Sequence, residues 1–417
     1  MKKNDLVSRR KFVKGTAALA AASTFTIIKP QSVRGSTANS MVQVGWVGCG
    51  GQGTRDATLL EATGKAKIVA VADYFQDMLD KARTTFKVDA KNAFKGVDAY
   101  KAIMGSAVDA VLLTTPPGFR PDHFQAAVTA KKHIFAEKPL AVDVPGCHAV
   151  MAAGEKAKAQ NLSVVVGLQR HYSKAYRACK KMIDEGALGT IAMAHSAWDQ
   201  GDLWQDRRGK RADWPSQMDY EVRHWYFFKW LSGDHIVEQN IHNMDVISWM
   251  LGTRPLKATG AGGRLVRTSI GEIYDHFNIV YEYPNQVLLN NTAVQIDGVL
   301  GDVSETIRGT KGTFTTTAGK GGTGGTRIEG LKTKKMIDTP IIYRYDGADD
   351  KHYDQEAWAF VKSVLGEGVD EDKYRNDTTY GVESTFMAIL GRESAYRRQT
   401  LTWDELWNSN QRLTFGG

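Results

Sequence analysis

Apolar and polar positions divide this chain into two regimes. Between about residues 41 and 168, short β-branched runs alternate with stretches of helical period. Val42, Val44, Trp46 and Val47 form the first run, apolar enough to be buried on both faces. The same reading predicts strands over 67–72, 108–113, 133–136 and 162–167, and helices over 77–86, 122–130 and 144–160. That alternation specifies a doubly wound parallel sheet that is complete near residue 168.

Beyond residue 170 the pattern changes. A helix over 172–185 and a strand over 191–197 lead into a stretch rich in Trp, Arg and Asp that contains Trp198, Trp204, Trp214, Trp225 and Trp230. Strand signals recur over 277–283 and 287–295, joined by Pro284-Asn285 as a hairpin, and again over 303–307, 313–316 and 341–345. Helices over 355–365 and 380–396 follow. The expected fold class is therefore α/β plus α+β. Its doubly wound first domain covers 39–168, and a mixed or antiparallel sheet domain covers 169–417, with its last helices free to pack back on the first domain.

The first strand breaks into Gly48-Cys49-Gly50-Gly51-Gln52-Gly53, which puts Gly48, Gly50 and Gly53 in the slots of G-x-G-x-x-G. Gly48 permits the tight turn, Gly50 lets backbone approach a pyrophosphate, and Gly53 lets the new helix lie close to the strand. The free N–H groups of that helix, Gly51 and Gln52 among them, then face the phosphates. Asp73 ends the second strand twenty residues past Gly53, where an acid can hold a ribose 2′-hydroxyl. An acid there repels a 2′-phosphate and favours NAD, while Tyr74, Lys65 and Lys67 leave NADP open. Ligands of such sheets sit beyond the carboxyl ends of the strands. That rule groups the glycine turn, Asp73, Thr115-Pro116, Glu137-Lys138 and Gln169-Arg170 along one edge.

Taken together, GxGxxG, the Thr115-Pro116-Pro117 turn with His123 after it, Glu137-Lys138-Pro139-Leu140-Ala141 and a later His242-Asn243-Met244-Asp245 resemble the glucose–fructose oxidoreductase/inositol dehydrogenase (Gfo/Idh/MocA) family. The stretches GLQR at 167–170 and EQNIHNMDVISWMLG at 238–252 are similar to those of its exported, carbohydrate-processing members. The resemblance implies an enzyme that moves a hydride between a secondary alcohol and a nicotinamide. Such a reaction needs a base for the hydroxyl proton, a positive group near the developing alkoxide and a fixed orientation. Lys138 matches the family's lysine at a strand end, and Pro139 after it suits an unusual turn, a cis bond included. Glu238, His242 and Asp245 stand at i, i+4 and i+7, one face of a helix. His242 is assigned as general acid/base. Glu238, where the family often has Asp, is a substrate or orienting carboxylate, and Asp245 orients His242 or serves packing. A metal held by Glu238 and His242 is the rival reading, without a third ligand at metal spacing. Thr115, Pro116, His123, Glu137 and Gln169 are expected around the cofactor. Arg170, Trp198, Trp204 and His224 are expected around the substrate, with Arg223 behind them. The aromatic stretch itself has two readings, sugar stacking or a mixture of core and subunit contact.

Composition modifies this picture in one respect. The formal charge of +8 on 417 residues looks basic, yet residues 1–38 hold eight Lys and Arg against the single acid Asp5. Without them the chain is near neutral, so no nucleic-acid partner is implied. Ser8-Arg9-Arg10-Lys11-Phe12-Val13-Lys14 resembles a twin-arginine export motif, and the apolar run 15–28 behind it is too short to span a bilayer. Residues 1–38 are thus expected to direct a folded protein to the periplasm. An exported nicotinamide enzyme meets no free cofactor pool, so the cofactor is expected to be retained through turnover. Cys49, Cys147 and Cys179 are odd in number and scattered, which implies no disulfide framework. The resemblance implies a homo-oligomer and a sugar or glycoside oxidised at a secondary hydroxyl, C3 first among them. Two rivals remain. One is a glycosidase cycle of oxidation, elimination and re-reduction, which needs a further base from Tyr172, Tyr176 or His171. The other is a non-catalytic, NAD-loaded sugar-binding protein.

Overall fold

The computed structural model describes residues 41–203, 209–316, 326–330, 341–345, 352–368 and 374–416. The export motif and Trp204 lie outside them.

Strand β1 (Val42–Val47) is followed by α1 (Gly51–Ala62), β2 (Ala66–Asp73), α2 (Gln76–Phe86), β3 (Ala93–Lys95), α3 (Ala99–Gly105) and β4 (Ala110–Leu113). Then come α4 (Arg120–Thr129), β5 (His133–Ala136), α5 (Val144–Ala159) and β6 (Val164–Val166). The six strands pair in parallel in the order β3-β2-β1-β4-β5-β6. The central strands β1, β4, β5 and β6 are almost wholly buried because helices cover both faces, which is why they read as apolar runs rather than alternations. The order reverses between β1 and β4, and the crevice of such a sheet opens there. Short β3 and α3 carried too little periodicity to be seen in the sequence.

The second region adds α6 (Lys174–Asp184), β7 (Ile191–Gln200), α7 (Gln217–Arg223), α8 (Lys229–Ser232), α9 (His235–Glu238) and α10 (Ile241–Leu251). The strands β8 (Lys257–Gly263), β9 (His276–Glu282), β10 (Leu288–Gln295), β11 (Asp302–Gly309), β12 (Gly312–Thr315), β13 (Arg327–Gly330) and β14 (Ile341–Arg344) follow. The chain closes with α11 (His352–Leu365), α12 (Thr378–Arg397), β15 (Leu401–Thr402) and α13 (Trp403–Trp407). These strands form one sheet in the order β14-β13-β12-β11-β7-β10-β9-β8-β15. It is mixed: β7 and β10 run parallel, and the other pairs are antiparallel.

Helix α11 returns to the first sheet. Its Ala357, Phe360 and Val361 join Val44, Trp46, Leu60 and Phe135 in one apolar cluster. Helix α12 carries Val382, Phe386 and Leu390 into the core shared with α5, α10 and the second sheet. Its 20 residues are buried along most of their length, so it joins the two sheets. Among the described residues no helix is long and apolar enough to cross a membrane.

Candidate active site

The glycine turn is shaped for a ligand. Gly48 has φ +93°, and a Cβ there would stand 2.5 Å from the Thr115 backbone nitrogen, so only glycine lets β1 pass β4 this closely. A Cβ on Gly53 would collide with the Thr114 hydroxyl, the Gly48 carbonyl and the Trp46 indole. Gly50 and Gly51 have nothing within 4 Å of an added Cβ; their open side faces the cleft. The helix start therefore presents bare backbone to an anion.

This cleft encloses about 620 Å³, within the range of small-molecule sites. Along it lie Gly48, Gly50, Gly51, Gln52, Gly53, Asp73, Thr115, Pro116, His123, Glu137, Lys138 and Gln169, every residue expected around a dinucleotide. Asp73 accepts hydrogen bonds from the Cys49 and Phe75 amides, at 2.6 and 2.8 Å. Burial nonetheless keeps its carboxyl above the ordinary range. Lys65 and Lys67 bear differently on NADP than their sequence proximity suggested. They flank the start of β2, six or more residues from Asp73 at ~3.3 Å per residue, and pair with Glu367 and Glu61. The cation near Asp73 is Arg223. His123, packed on Tyr100 and bonded to the Thr115 hydroxyl, is held neutral by burial, its pKa pushed down to about 3. Cys49 is buried with its thiol pushed up by desolvation, a packing residue.

Beneath Gln52 the carboxyls of Asp56 and Glu137 are buried close to one another. The Gln52 amide donates to Asp56 at 2.8 Å and to Glu137 at 3.4 Å. Burial raises the pKa of both carboxyls, helped by Glu137 at Asp56 and by Glu238 at Glu137, and burial with both of these carboxyls raises that of Glu356 on α11. Gly167 is required here, since its Cβ would stand 2.6 Å from the Glu137 carboxyl carbon.

At the far end, the Lys138–Pro139 peptide is cis. Lys138 Nζ donates to Glu238 Oε1 at 2.8 Å and to the Glu238 carbonyl at 2.6 Å. That second bond breaks the expected continuous helix. The Glu238 carbonyl is taken by Lys138, so the His242 amide turns to the Gln239 carbonyl at 3.4 Å, and α9 and α10 separate at 239–240. Glu238 and His242 still line the cleft together. Asp245 does not join them. It accepts from Ser384 Oγ at 2.7 Å and meets His171 Nε2 at 2.9 Å, partners outside the cleft, so it serves packing. His242 stacks on Trp198, and desolvation, then Lys138, hold its pKa well below the ordinary value. Glu238 Oε2, His242 Nδ1, Gln169 Oε1 and Trp198 Nε1 are buried without hydrogen-bond partners. Such atoms are costly unless a ligand completes them. No three His, Cys, Asp or Glu among the described residues are grouped to hold a metal.

Other expected substrate residues fall elsewhere. Arg170 is paired with Glu305 and bonded to Asn243, and His224 bonds the Tyr220 carbonyl; neither lines the cleft. The aromatic stretch divides. Trp198 and Trp225 face the cleft, Tyr226 and Phe227 are core, and Trp230 packs on Phe119. The extra base of a glycosidase cycle is not supplied by Tyr172, Tyr176 or His171, which are bonded to Asp377, Glu305 and Asp245. Tyr353, at the start of α11, lines the cleft as Tyr74 and Tyr100 do, with the Arg55 guanidinium 3.6 Å from the Tyr353 ring centre. No sequence signal marks it, because its place depends on α11 returning across 150 residues.

Two family models match the chain. One, described as "Oxidoreductase family, NAD-binding Rossmann fold", covers residues 42–166, and the other, "GFO/IDH/MocA C-terminal domain", covers 176–315. Inositol 2-dehydrogenase 3 of Saccharopolyspora erythraea is 34% identical over 203 residues, 48% of this chain and 56% of that protein. The chain thus spans little more than half the length of that curated relative. Among solved structures, levoglucosan dehydrogenase in complex with NADH and levoglucosan superposes with a TM-score of 0.70 at 16% identity, covering 87% of this chain and 99% of that one. The aldose-aldose oxidoreductase of Caulobacter crescentus gives 0.68 at 14% identity, with coverage of 87% and 99%. At these identities the likeness is one of fold.

Proposed function

The chain belongs to the GFO/IDH/MocA oxidoreductase family, and from that premise we propose that it is an NAD-dependent oxidoreductase acting on a secondary hydroxyl of a sugar or glycoside, with C3 as the reacting carbon. The observation that carries this reading is Lys138 held on Glu238, with four unpartnered buried polar atoms around the pair at one end of a dinucleotide-shaped cleft.

The bare Gly50–Gly51 backbone would hold the pyrophosphate, Asp73 the adenosine ribose, and Glu137, Lys138 and Gln169 would surround the nicotinamide. When bound, that ring supplies the hydride acceptor. The remaining work falls to the chain. His242 is neutral in its buried seat and so is free to take the hydroxyl proton. Lys138 places its ammonium where the alkoxide charge develops, and Glu238 fixes that ammonium by two bonds while offering Oε2 to a neighbouring hydroxyl. Trp198 and Trp225 present ring faces to a sugar's C–H surface. Among the described residues lining the cleft, Arg120, Lys138 and Arg223 are all already engaged. A neutral sugar suits this lining better than an acidic one.

The twin-arginine motif supports export to the periplasm, and with it a cofactor kept through turnover and reoxidised by a second carbohydrate. The outer face of the second sheet exposes Met193, Val280 and Leu288, a surface suited to a homo-oligomer. Oxidation rather than glycoside cleavage is favoured because the tyrosines and histidine that could supply the additional base are committed elsewhere.

The test is to incubate the purified protein with a panel of mono- and disaccharides while following nicotinamide fluorescence and product mass. A neutral sugar that generates fluorescence with a mass loss of two hydrogens is the expected result. Aglycone release without such a product would replace this reading with the glycosidase cycle, and no change with any sugar would leave a binding protein.

A further inference from the structure

The adenosine end of the cleft is built from two distant parts of the chain. One wall is the β2–α2 turn, with Asp73, Tyr74 and Phe75; the other is α7, with Val222 and Arg223. The two walls touch directly. Tyr74 donates its hydroxyl to Asp219 Oδ1 at 2.8 Å. Arg223 grips Asp77 through two parallel bonds of 2.8 and 3.0 Å. Its guanidinium lies 3.9 Å from the Phe75 ring centre, and Trp214 meets the same ring edge-on at 5.9 Å.

These contacts have the chemistry of a fastening rather than of core packing. The Arg223–Asp77 fork is charge-assisted and geometrically specific, and it holds the Asp77 carboxyl below its ordinary range. Asp77 is 61% exposed, so the pair forms without burying that carboxylate. Asp219 is itself fixed by Ser216, which caps α7 and donates to Asp219 Oδ2 at 2.6 Å. Both walls line the cleft beside Asp73, the carboxylate expected to hold the ribose.

We propose that residues 214–223 form a strap over the adenosine half of the dinucleotide, and that Arg223–Asp77 and Tyr74–Asp219 are its two fastenings, which set the rate at which cofactor leaves. This rests on the dinucleotide reading above and gives cofactor retention a structural cause. The sequence pattern groups Arg223 with the substrate residues; its position beside Asp73 makes it a cofactor residue instead.

The experiment is a stopped-flow chase. Full-length protein loaded with NADH is mixed with excess NAD, and the loss of NADH fluorescence gives the release rate. Arg223→Ala and Asp77→Ala are each expected to speed release about tenfold, and Tyr74→Phe by less. The swapped pair Asp77→Arg with Arg223→Asp is expected to restore slow release. Added salt should speed release from the wild type and leave Asp77→Ala indifferent. If Arg223→Ala fails to fold, Asp77→Ala, at an exposed first-turn position, carries the test alone. Wild-type rates in the variants would overturn the strap and leave the dinucleotide reading intact. A wild type that binds no NADH would overturn both.

Discussion

Lys138 Nζ stands 2.8 Å from Glu238 Oε1 although a hundred residues separate them. Each side chain is 10% exposed, so the two charges are buried as a pair. Removing one partner strands the other, which costs about 3–5 kcal/mol in a buried pair. Lys138→Ala should therefore lower both melting temperature and kcat/KM. The double variant Lys138→Met with Glu238→Leu should recover most of the stability and none of the activity. Recovery of activity in the double variant, measured beside its melting curve, would remove this pair from the chemistry.

His242 should show its buried neutrality in two pH profiles. In the folded protein its pKa lies well below the ordinary value, so the unfolded chain binds a proton that the folded chain refuses. Stability from this site is complete above about pH 6.5 and is lost as pH falls below it. A His242→Gln variant should lose less stability between pH 6.5 and 5 than the wild type in urea titrations. Its kcat/KM should fall about a hundred- to ten-thousand-fold, and the acid limb of the wild-type profile should lie below pH 6.5 if the imidazole is the base.

The Asp56–Glu137 pair predicts the opposite slope. Both carboxyls are raised above their unfolded values, so the folded state holds a proton the unfolded state has released. Their contribution is largest below about pH 4 and declines as pH rises. Asp56→Asn keeps the Gln52 side of the cluster occupied and removes the repulsion. It should melt a few degrees higher than wild type at pH 8, with the gap closing toward pH 4. A gap independent of pH would contradict the raised carboxyl pKa values.

Gly50 and Gly53 should separate binding from folding. An added Cβ at Gly50 meets no protein atom, so Gly50→Ala should melt within a degree or two of wild type while losing at least tenfold in NADH affinity. Gly53→Ala drives a methyl into Thr114, Gly48 and Trp46, and should destabilise the protein by about 1–3 kcal/mol. Equal affinities for wild type and Gly50→Ala in a fluorescence titration would mean that no phosphate lies over the turn.

The first sheet was legible because its signals are local. A strand, a glycine turn, a helix and a second strand ending in Asp73 fit within 33 residues, and the steric needs of the turn are written in adjacent positions. Lys138 and His242 could be named because each sits in a short distinctive stretch. Their neighbours could not. Asp245 follows His242 within the same helix, yet its carboxylate is taken by His171 and Ser384, which only the packing of distant elements brings to it. Lys65 and Lys67 are close to Asp73 in sequence and far along the strand.

By itself, then, the sequence determined the parallel sheet, the phosphate turn and the residue types available for hydride chemistry, because backbone sterics and apolar periodicity act over a few residues. Tertiary structure alone decided that Glu238 would anchor Lys138, that Tyr353 would reach the cleft from α11, and that Arg223 would pair with Asp77 beside Asp73. Those outcomes depend on contacts across 100 to 300 residues. Each is settled by how two sheets and the helices between them pack, a balance of burial and charge pairing that no local window contains.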